Sequence, residues 1–136
     1  MPLLFDDDYR VLQEMGLLYT EDESSRFFIF RDYRLPSGVY TVSECDVLVE
    51  IPRNYNHQGN DMFWTNPRLR RADGVAIPQT LDEGHGANKT HEGQEFCRWS
   101  RHWNPGTSGA WKPGKDNIMT IQRRIEWALN HPEAKI

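Results

Sequence analysis

The chain has 136 residues, enough for a buried core, and we expect residues 1–136 to form a single domain. Its formal net charge is −4 with charges of both signs spread along the sequence, which argues against a nucleic-acid-binding protein. The basic run Arg68–Arg71 is interpreted as a solvated loop face. No apolar run is long enough to span a bilayer, and the first residues lack the features of a signal peptide. We therefore expect a cytoplasmic protein that binds neither nucleic acid nor membrane, with both cysteines kept as thiols.

The first half of the chain predicts a short helix followed by strands. An acidic run at residues 6–8 begins a helical segment that ends at Gly16, because aspartate suits a helix start and glycine suits its C′ position. Residues 26–31 are rich in β-forming side chains and predict a strand. A longer strand is predicted over Val42–Ile51. Cys45 shares one face of it with apolar residues, so this thiol is expected to be buried and inert.

The next segments complete the predicted fold. A turn is predicted over Pro52–Asn56, a strand over Asp61–Trp64, and a short fourth strand over Gly74–Pro78. Apolar residues recur at helical spacing over Ile118–Leu129, with Asp116 as the expected N-cap. The order of these elements predicts an α/β protein of the α+β type, in which helices cover one face of an antiparallel meander.

The stretch Gly93–Trp111 carries the most reactive side chains of the sequence. It is polar and irregular, which predicts a loop between rigid elements, where reactive residues are often held. Cys97 is the first candidate nucleophile, because a thiolate is the strongest nucleophile among side chains. The alternative is that Phe96, Trp99 and Trp103 anchor the loop to the core and that Cys97 has only a structural part.

Several motifs occur in the order found in the ubiquitin-conjugating (E2, UBC) superfamily. They are the strand and Pro-x-x-Tyr turn over Val47–Tyr55, the strand Met62–Trp64, the lead Gly93–Cys97, the Trp-x-Pro of Trp111–Pro113 and the helix Ile118–Leu129. Over roughly residues 26–132 the sequence resembles this superfamily, and it most resembles the bacterial branch called prokaryotic E2 family E. The resemblance implies a UBC-like antiparallel four-stranded meander with an N-terminal helix and a C-terminal helix packed on it.

An E2 carries a ubiquitin-like protein as a thioester and passes it to an amine. The resemblance therefore implies an E1-like adenylating enzyme, a ubiquitin-like protein, a target protein lysine and a JAB-type isopeptidase as partners in a bacterial ubiquitination-like pathway, with no cofactor. It implies Cys97 as the carrier. The family's His-Pro-Asn triplet is absent, but His85-Gly86-Ala87-Asn88 lies at a similar distance before Cys97. Asn88 is therefore the candidate that supplies the asparagine.

The residues around Cys97 suggest how such a transfer could proceed. Arg98, Arg101 and His102 follow Cys97 closely and would favour its thiolate. A tetrahedral oxyanion must be stabilised during transfer, and three donors are available: Asn88, His91 and His102. His102 or Asp116 could take the proton of the incoming amine.

Three alternatives remain open from the sequence. Ser100, two residues before His102, is a rival nucleophile that would form an oxyester. A zinc site is possible because four zinc-competent residues share one segment: His85, His91, Cys97 and His102. The chain could also be a catalytically inactive E2 variant that only binds the ubiquitin-like protein or the E1.

Overall fold

A computed structural model describes residues 2–103 and 110–135 of the protein. Within these ranges the chain forms two helices and six strands, namely α1 (Asp6–Glu14), β1 (Leu18–Asp22), β2 (Phe27–Arg34), β3 (Glu44–Glu50), β4 (Phe63–Asn66), β5 (Lys89–His91), β6 (Gln94–Trp99) and α2 (Ile118–Asn130). The predicted mixed α/β class, with one helix before and one after an antiparallel sheet, is confirmed. None of the helices in the described ranges is long and apolar enough to cross a membrane.

The six strands form one antiparallel sheet in the order β1-β2-β3-β4-β6-β5. The first four are consecutive neighbours and make a four-stranded meander. The last two form a hairpin whose turn residues, Glu92 and Gly93, have φ angles of 50° and 79°. Two positive φ angles are the geometry of a type I′ turn, which matches the twist of paired strands. β6 lies beside β4, with Cys97 opposite Thr65, so the hairpin extends the meander by two strands.

Each face of the sheet carries an apolar cluster. The larger cluster lies between the sheet and the helices and includes Leu12, Phe28, Phe30, Val47, Val49, Phe63, Trp99, Ile121 and Ile125. The smaller cluster contains four buried residues of the strands: Ile29, Leu48, Trp64 and Phe96. Successive side chains of a strand point to opposite faces, so these residues alternate with those of the larger cluster. Phe96 and Trp99 therefore tie β6 to both clusters.

The buried side chain of Asp8 connects three segments of the chain. Its carboxylate accepts hydrogen bonds from the Tyr55 hydroxyl at 3.1 Å, from the backbone N–H of Ile118 at 3.1 Å and from that of Phe5 at 3.0 Å. Tyr55 belongs to the predicted Pro-x-x-Tyr turn, which is closed by its N–H donating to the carbonyl of Pro52 at 3.1 Å. This turn is therefore fixed against the first turns of both helices.

Trp111 anchors the segment that leads into α2. Its indole Nε1 donates to the carbonyl of Asn56 at 2.9 Å, and the guanidinium of Arg124 in α2 lies 5.5 Å from its ring centroid. Gly59 lies directly against the ring, where an added Cβ would overlap the indole. The predicted packing of Trp111 beside the last helix is therefore confirmed.

Three details of the predicted secondary structure are wrong. Residues 74–78 form no strand, and the meander instead contains β1, which was not predicted. The N-cap of α2 is Asn117, whose side chain accepts from the N–H of Met119 at 2.9 Å, and not Asp116. The stretch Gly93–Trp111 begins with β6 and is not irregular throughout; its residues 104–109 lie outside the described residues.

Candidate active site around Cys97

Cys97 lies inside β6 and not in an irregular loop as predicted. The type I′ turn at Glu92 and Gly93 starts a hairpin there, and pairing overrides the polar character of the sequence. By the alternation of strand side chains, Cys97 leaves the sheet on the same side as Glu95 and Trp99. The residue is only 1% exposed, so its thiol is buried, whereas a loop thiol was expected to be accessible.

Asn88 is the polar side chain that contacts this thiol. Its Nδ2 lies 3.7 Å from Cys97 Sγ, and its Oδ1 accepts from the backbone N–H of Arg98 at 3.0 Å. The same Nδ2 also donates to the carbonyl of Asp82 at 2.9 Å and lies 3.1 Å from Glu95 Oε2. The amide is thus held on both sides, with its donor group towards the sulfur. The structure therefore brings together Cys97 and Asn88, two of the residues predicted from the sequence.

The segment of residues 82–88, here called the cover, lies beside β6, where Gly84 bonds to Glu95 and Asn88 contacts Cys97 and Arg98. Residues 82–86 of the cover are exposed, and Ala87 and Asn88 are partly buried. Three contacts hold its first half: Arg68 Nη2 to Asp82 Oδ1 at 3.0 Å, Arg70 Nη2 to Glu83 Oε1 at 2.8 Å, and Gly84 N–H to Glu95 Oε2 at 2.8 Å. The cover is therefore fastened by charged and polar groups.

Burial raises the pKa of the Cys97 thiol to about 11, and the carboxylates of Glu95 and Glu83 act in the same direction. The guanidinium groups of Arg68 and Arg70 oppose them by favouring the thiolate. These two arginines belong to the run interpreted from the sequence as a solvated loop face. In the folded chain Arg70 is exposed, as expected of a solvated loop face, whereas the side chain of Arg68 is partly buried.

The arginines that follow Cys97 in the sequence lie elsewhere. Arg98 is the next residue of the strand, so its side chain leaves the opposite face of the sheet and lines a cleft there. Arg101 is fully buried, with its guanidinium 4.9 Å from the Trp99 ring centroid and its Nη1 donating to the carbonyl of Pro78 at 3.1 Å. Arg98 and Arg101 therefore do not favour the Cys97 thiolate as predicted from the sequence; the groups that lower the pKa of this thiol are Arg68 and Arg70.

His102 forms a pair with Asp61, and the two residues lie away from Cys97. The distance from His102 Nδ1 to Asp61 Oδ1 is 2.9 Å, and the imidazole side chain is 42% exposed. Asp61 comes four residues before Thr65, which is opposite Cys97, so the two positions are about 13 Å apart along an extended chain. A cleft of about 530 Å³ is lined by Asp61, Asn88 and Arg98, and it lies on the face of the sheet opposite the Cys97 side chain.

Asp116, the other candidate base, is held in the segment before α2. Its carboxylate accepts from the backbone N–H of Lys112 at 2.7 Å and from the Thr120 hydroxyl at 3.2 Å. These bonds support the start of the helix. Of the two candidate bases, only His102 is therefore paired with a residue that borders the cleft.

Ser100 follows β6 and is partly buried. Its backbone N–H donates to the carbonyl of Gln79 at 2.9 Å, which fixes the chain at this point. Among the residues that the structure describes, no hydrogen bond joins the Ser100 hydroxyl to His102, whose Nδ1 is bonded to Asp61. The serine thus lacks the base contact that would activate a hydroxyl.

The four zinc-competent residues are not brought together. His91 Nε2 lies 3.2 Å from Asp22 Oδ2, and His85 Nδ1 accepts from the N–H of Ala87 at 3.0 Å, while His102 is paired elsewhere. Within residues 2–103 and 110–135, no group of three or more His, Cys, Asp or Glu side chains is arranged to hold a metal ion. The zinc alternative has no support in the described part of the chain.

The family model described as prokaryotic E2 family E matches residues 4–132 of the chain. The chain therefore belongs to this family, and the resemblance inferred from its motifs is confirmed. No curated protein and no solved structure matches the chain. The antiparallel sheet with an N-terminal and a C-terminal helix is compatible with the UBC-like fold that this family implies.

Proposed function

We propose that the protein accepts a ubiquitin-like protein from an E1-like adenylating enzyme as a thioester on Cys97 and transfers it to a lysine of a target protein. Membership of an E2 family supports the E2-like role. The choice of Cys97 depends on one observation, the contact of 3.7 Å between Asn88 Nδ2 and Cys97 Sγ. An amide donor beside the sulfur is what acyl transfer through a thioester requires. A JAB-type isopeptidase of the same pathway would cleave the resulting conjugates.

The first step is a thioester exchange at Cys97. The thiolate attacks the carbonyl carbon of the thioester on the E1, so a new bond from Sγ to carbon forms and the E1 sulfur leaves as a thiolate. The proton that Cys97 releases balances the charge on the departing E1 thiol. The negative charge forms on the oxygen of the attacked carbonyl, and Asn88 Nδ2 donates to this oxyanion by giving up its hydrogen bond to Glu95 Oε2. One such donor is worth roughly 2.7–4 kcal/mol of transition-state stabilisation.

The second step is attack by the lysine amine. The amine approaches the thioester from the side of residues 82–88, because the cleft lined by Asp61 and Asn88 lies on the face of the sheet opposite the Cys97 side chain. The amine attacks the thioester carbon and releases its proton to solvent as the new amide forms, because the His102–Asp61 pair lies too far from Cys97 to take the proton directly. The Cys97 thiolate then leaves and is protonated again, which restores the starting enzyme.

The test is a charging reaction with the E1, the processed ubiquitin-like protein and ATP. We expect an adduct that a reducing thiol removes, because thioesters exchange with thiols. Cys97→Ala should abolish the adduct, and Cys97→Ser should give a slower adduct that resists thiol. Cys45→Ala is the matched control, since this thiol is also buried but lies in β3, and it should charge normally.

Asn88→Ala separates binding from chemistry. The variant should be charged or should discharge roughly 100-fold more slowly than the wild type, as expected when an oxyanion donor is lost. Charging that survives Cys97→Ala but not Ser100→Ala would assign the carrier to Ser100 and overturn the proposal. An E1 or ubiquitin-like protein that binds without any adduct would instead indicate an inactive E2 variant.

A further inference from the structure

The face of the sheet that carries the smaller apolar cluster also carries the cleft of about 530 Å³. One wall is formed by residues 58–62, which precede β4, and the other by residues 86–89, which lead into β5. Trp64 of β4 and Arg98 of β6 line the cleft from the sheet. These two residues are direct partners in the paired strands, so their side chains lie side by side. The volume lies within the range of roughly 300–1,000 Å³ that is typical of ligand-binding clefts.

Contacts within the protein hold the cleft in shape. The indole Nε1 of Trp64 donates to the carbonyl of Ala87 at 3.1 Å, which ties the sheet to one wall. The ammonium group of Lys89 lies 3.1 Å from Glu50 Oε2 and 4.8 Å from the centroid of the Trp64 ring. The cleft is therefore formed before a ligand arrives, and binding does not require its walls to become ordered.

The buried side chain of Asn60 presents an acceptor that has no donor. The residue lines the cleft and is 7% exposed. Its Nδ2 donates to the carbonyl of Met62 at 3.2 Å, which fixes the amide, but no described residue donates to its Oδ1. A buried acceptor without a partner is unfavourable, so an N–H group supplied by a ligand would be stabilised at this position.

Arg98 presents a cation that has no acid. Its buried Nε lacks an acceptor, and its guanidinium forms no ion pair within the part of the chain that the structure describes. The two acids that line the cleft already have partners, since Glu50 pairs with Lys89 and Asp61 pairs with His102. One positive charge of the cleft is therefore left for a ligand. A carboxylate suits it best, because two carboxylate oxygens can accept from the parallel N–H groups of a guanidinium.

We propose that this cleft binds an extended segment of another protein, with the carboxylate of an internal aspartate or glutamate on Arg98 and a backbone N–H on Asn60. A peptide offers both groups, whereas an anion such as sulfate has no donor for Asn60. The rim residues Gln58, Asp61 and Gly86 are exposed, so the cleft is open to solvent and a chain can enter and leave it. This openness favours an internal acidic residue over a free C-terminus.

The peptide site is separate from the place of acyl transfer. It lies on the face of the sheet opposite the Cys97 side chain, so a bound segment leaves the sulfur free. Asn88 belongs to both places, because it lines the cleft and its Nδ2 lies 3.7 Å from Cys97 Sγ. A partner held in the cleft is thus docked beside β6 without occupying the position of the acyl group. The inference does not depend on the carrier function of Cys97.

The experiment is a titration of the isotope-labelled protein with short peptides, followed by NMR. The first probe is acetyl-Gly-Gly-Asp-Gly-Gly-amide, whose only carboxylate is an internal side chain. The second has asparagine in place of aspartate, and the third is acetyl-Gly-Gly-Gly-Gly-Gly with a free C-terminal carboxylate. The signals to follow are the Nε–H of Arg98, the side-chain amide of Asn60 and the indole N–H of Trp64.

We expect the aspartate peptide to shift these signals saturably, with a dissociation constant of about 1 mM. The asparagine peptide should bind about tenfold more weakly, because a charge-assisted hydrogen bond is lost. Arg98→Gln should weaken binding of the aspartate peptide by a similar factor. The matched control, Arg123→Gln, removes an exposed arginine of α2 and should bind as the wild type does.

A second series of peptides tests Asn60 without changing the protein. Each backbone amide of the aspartate peptide is replaced in turn by an ester, which removes one N–H group. One replacement should weaken binding, at the position whose N–H donates to Asn60 Oδ1. Equal binding of every ester peptide would remove Asn60 from the site.

Three further results would overturn the inference. The first is equal binding of the aspartate and asparagine peptides, a comparison that uses the unchanged protein. The second is undiminished binding to the Arg98→Gln variant. The third is binding of the free C-terminal peptide alone, which would contradict the choice of an internal acidic residue. Charging by the E1 is a separate measurement: a protein that binds the aspartate peptide but forms no thioester would refute the carrier function and leave the peptide site intact.

Discussion

The carboxylate of Asp8 accepts a hydrogen bond from the backbone N–H of Ile118 at 3.1 Å, which joins the first turn of α1 to the first residue of α2. The same carboxylate oxygen accepts from the hydroxyl of Tyr55 at 3.1 Å. Asp8→Ala would leave both buried donors without an acceptor. We expect the free energy of unfolding to fall by about 2–4 kcal/mol in a urea titration.

The neighbouring residue provides the control for this prediction. Asp7 precedes Asp8 in the same helical turn but is exposed. Asp7→Ala should change the free energy of unfolding by less than about 0.5 kcal/mol. Similar losses for the two variants would show that the Asp8 contacts do not hold the helices together.

Gly59→Ala should displace the indole of Trp111. A Cβ at Gly59 would overlap the ring, so the variant must move either the ring or its own backbone. We expect a loss of about 1–3 kcal/mol in the free energy of unfolding, as for an overpacked core, and a change in tryptophan fluorescence. Gly86→Ala is the comparison, because nothing lies within 4 Å of the Cβ position there. Equal effects in the two variants would contradict the packing of Trp111.

The two buried thiols should make the protein less stable at alkaline pH. Burial raises the pKa of Cys97 from 9.0 to about 11 and that of Cys45 from 9.0 to about 12. The unfolded chain releases these protons first, so the stability gained from neutral thiols is complete below pH 9.0 and is lost as the pH rises through about 11 and about 12.

Substitution separates the two contributions to this decline. Cys97→Ala should flatten the fall in the free energy of unfolding between pH 9.0 and about 11, relative to the wild type. Cys45→Ala should flatten it over a range that extends further, to about 12. The measurement is a series of unfolding titrations at increasing pH. Parallel curves for the wild type and the variants would mean that the thiols ionise in the fold as they do in the unfolded chain.

Arg101 should be replaceable by methionine without loss of stability. The residue is fully buried, and its Nε and Nη2 lack partners among the described residues. Replacing a buried, incompletely bonded charge with an apolar side chain of similar length is often neutral or stabilising by about 1–4 kcal/mol. Arg101→Ala should instead cost about 2–5 kcal/mol, because it removes the packing on Trp99. Denaturant titrations measure both changes in the free energy of unfolding. A large loss for Arg101→Met would show that the charge of Arg101 itself stabilises the fold.

The elements with strong periodicity were predictable from the sequence. β2, β3 and α2 carry apolar residues at regular spacing, and packing follows the pattern. β1 and β5 are short, mostly polar and partly exposed, so no periodicity reveals them. The hairpin of β5 and β6 had one local signal, the Glu92-Gly93 pair between two strand-length segments. The tryptophans and arginines of the following stretch obscured it.

The site was predictable only in part. The pairing of Cys97 with Asn88 followed from the family resemblance, since nothing in their spacing places an amide beside a thiol. The ion pair of Arg70 with Glu83 could not be read from the sequence, because 13 residues of irregular chain separate them. Such contacts depend on how the loop folds back on the sheet. The same limit applies to His102, whose partner Asp61 lies 41 residues earlier.

The position of β6 between two apolar clusters has a consequence for amide hydrogen exchange. The backbone of β6 pairs with β4 and packs on both faces of the sheet, so its amides that bond to β4 should exchange with solvent deuterium only when the sheet opens. The amide of Arg98 bonds to Asn88 Oδ1 and should exchange once that contact opens. Residues 82–88 have no such protection and should exchange early. The sheet thus fixes the position of the Cys97 sulfur, while the accessibility of this sulfur to other proteins depends on residues 82–88. Sequence changes in that segment can alter how often the thiol is presented without altering where it is.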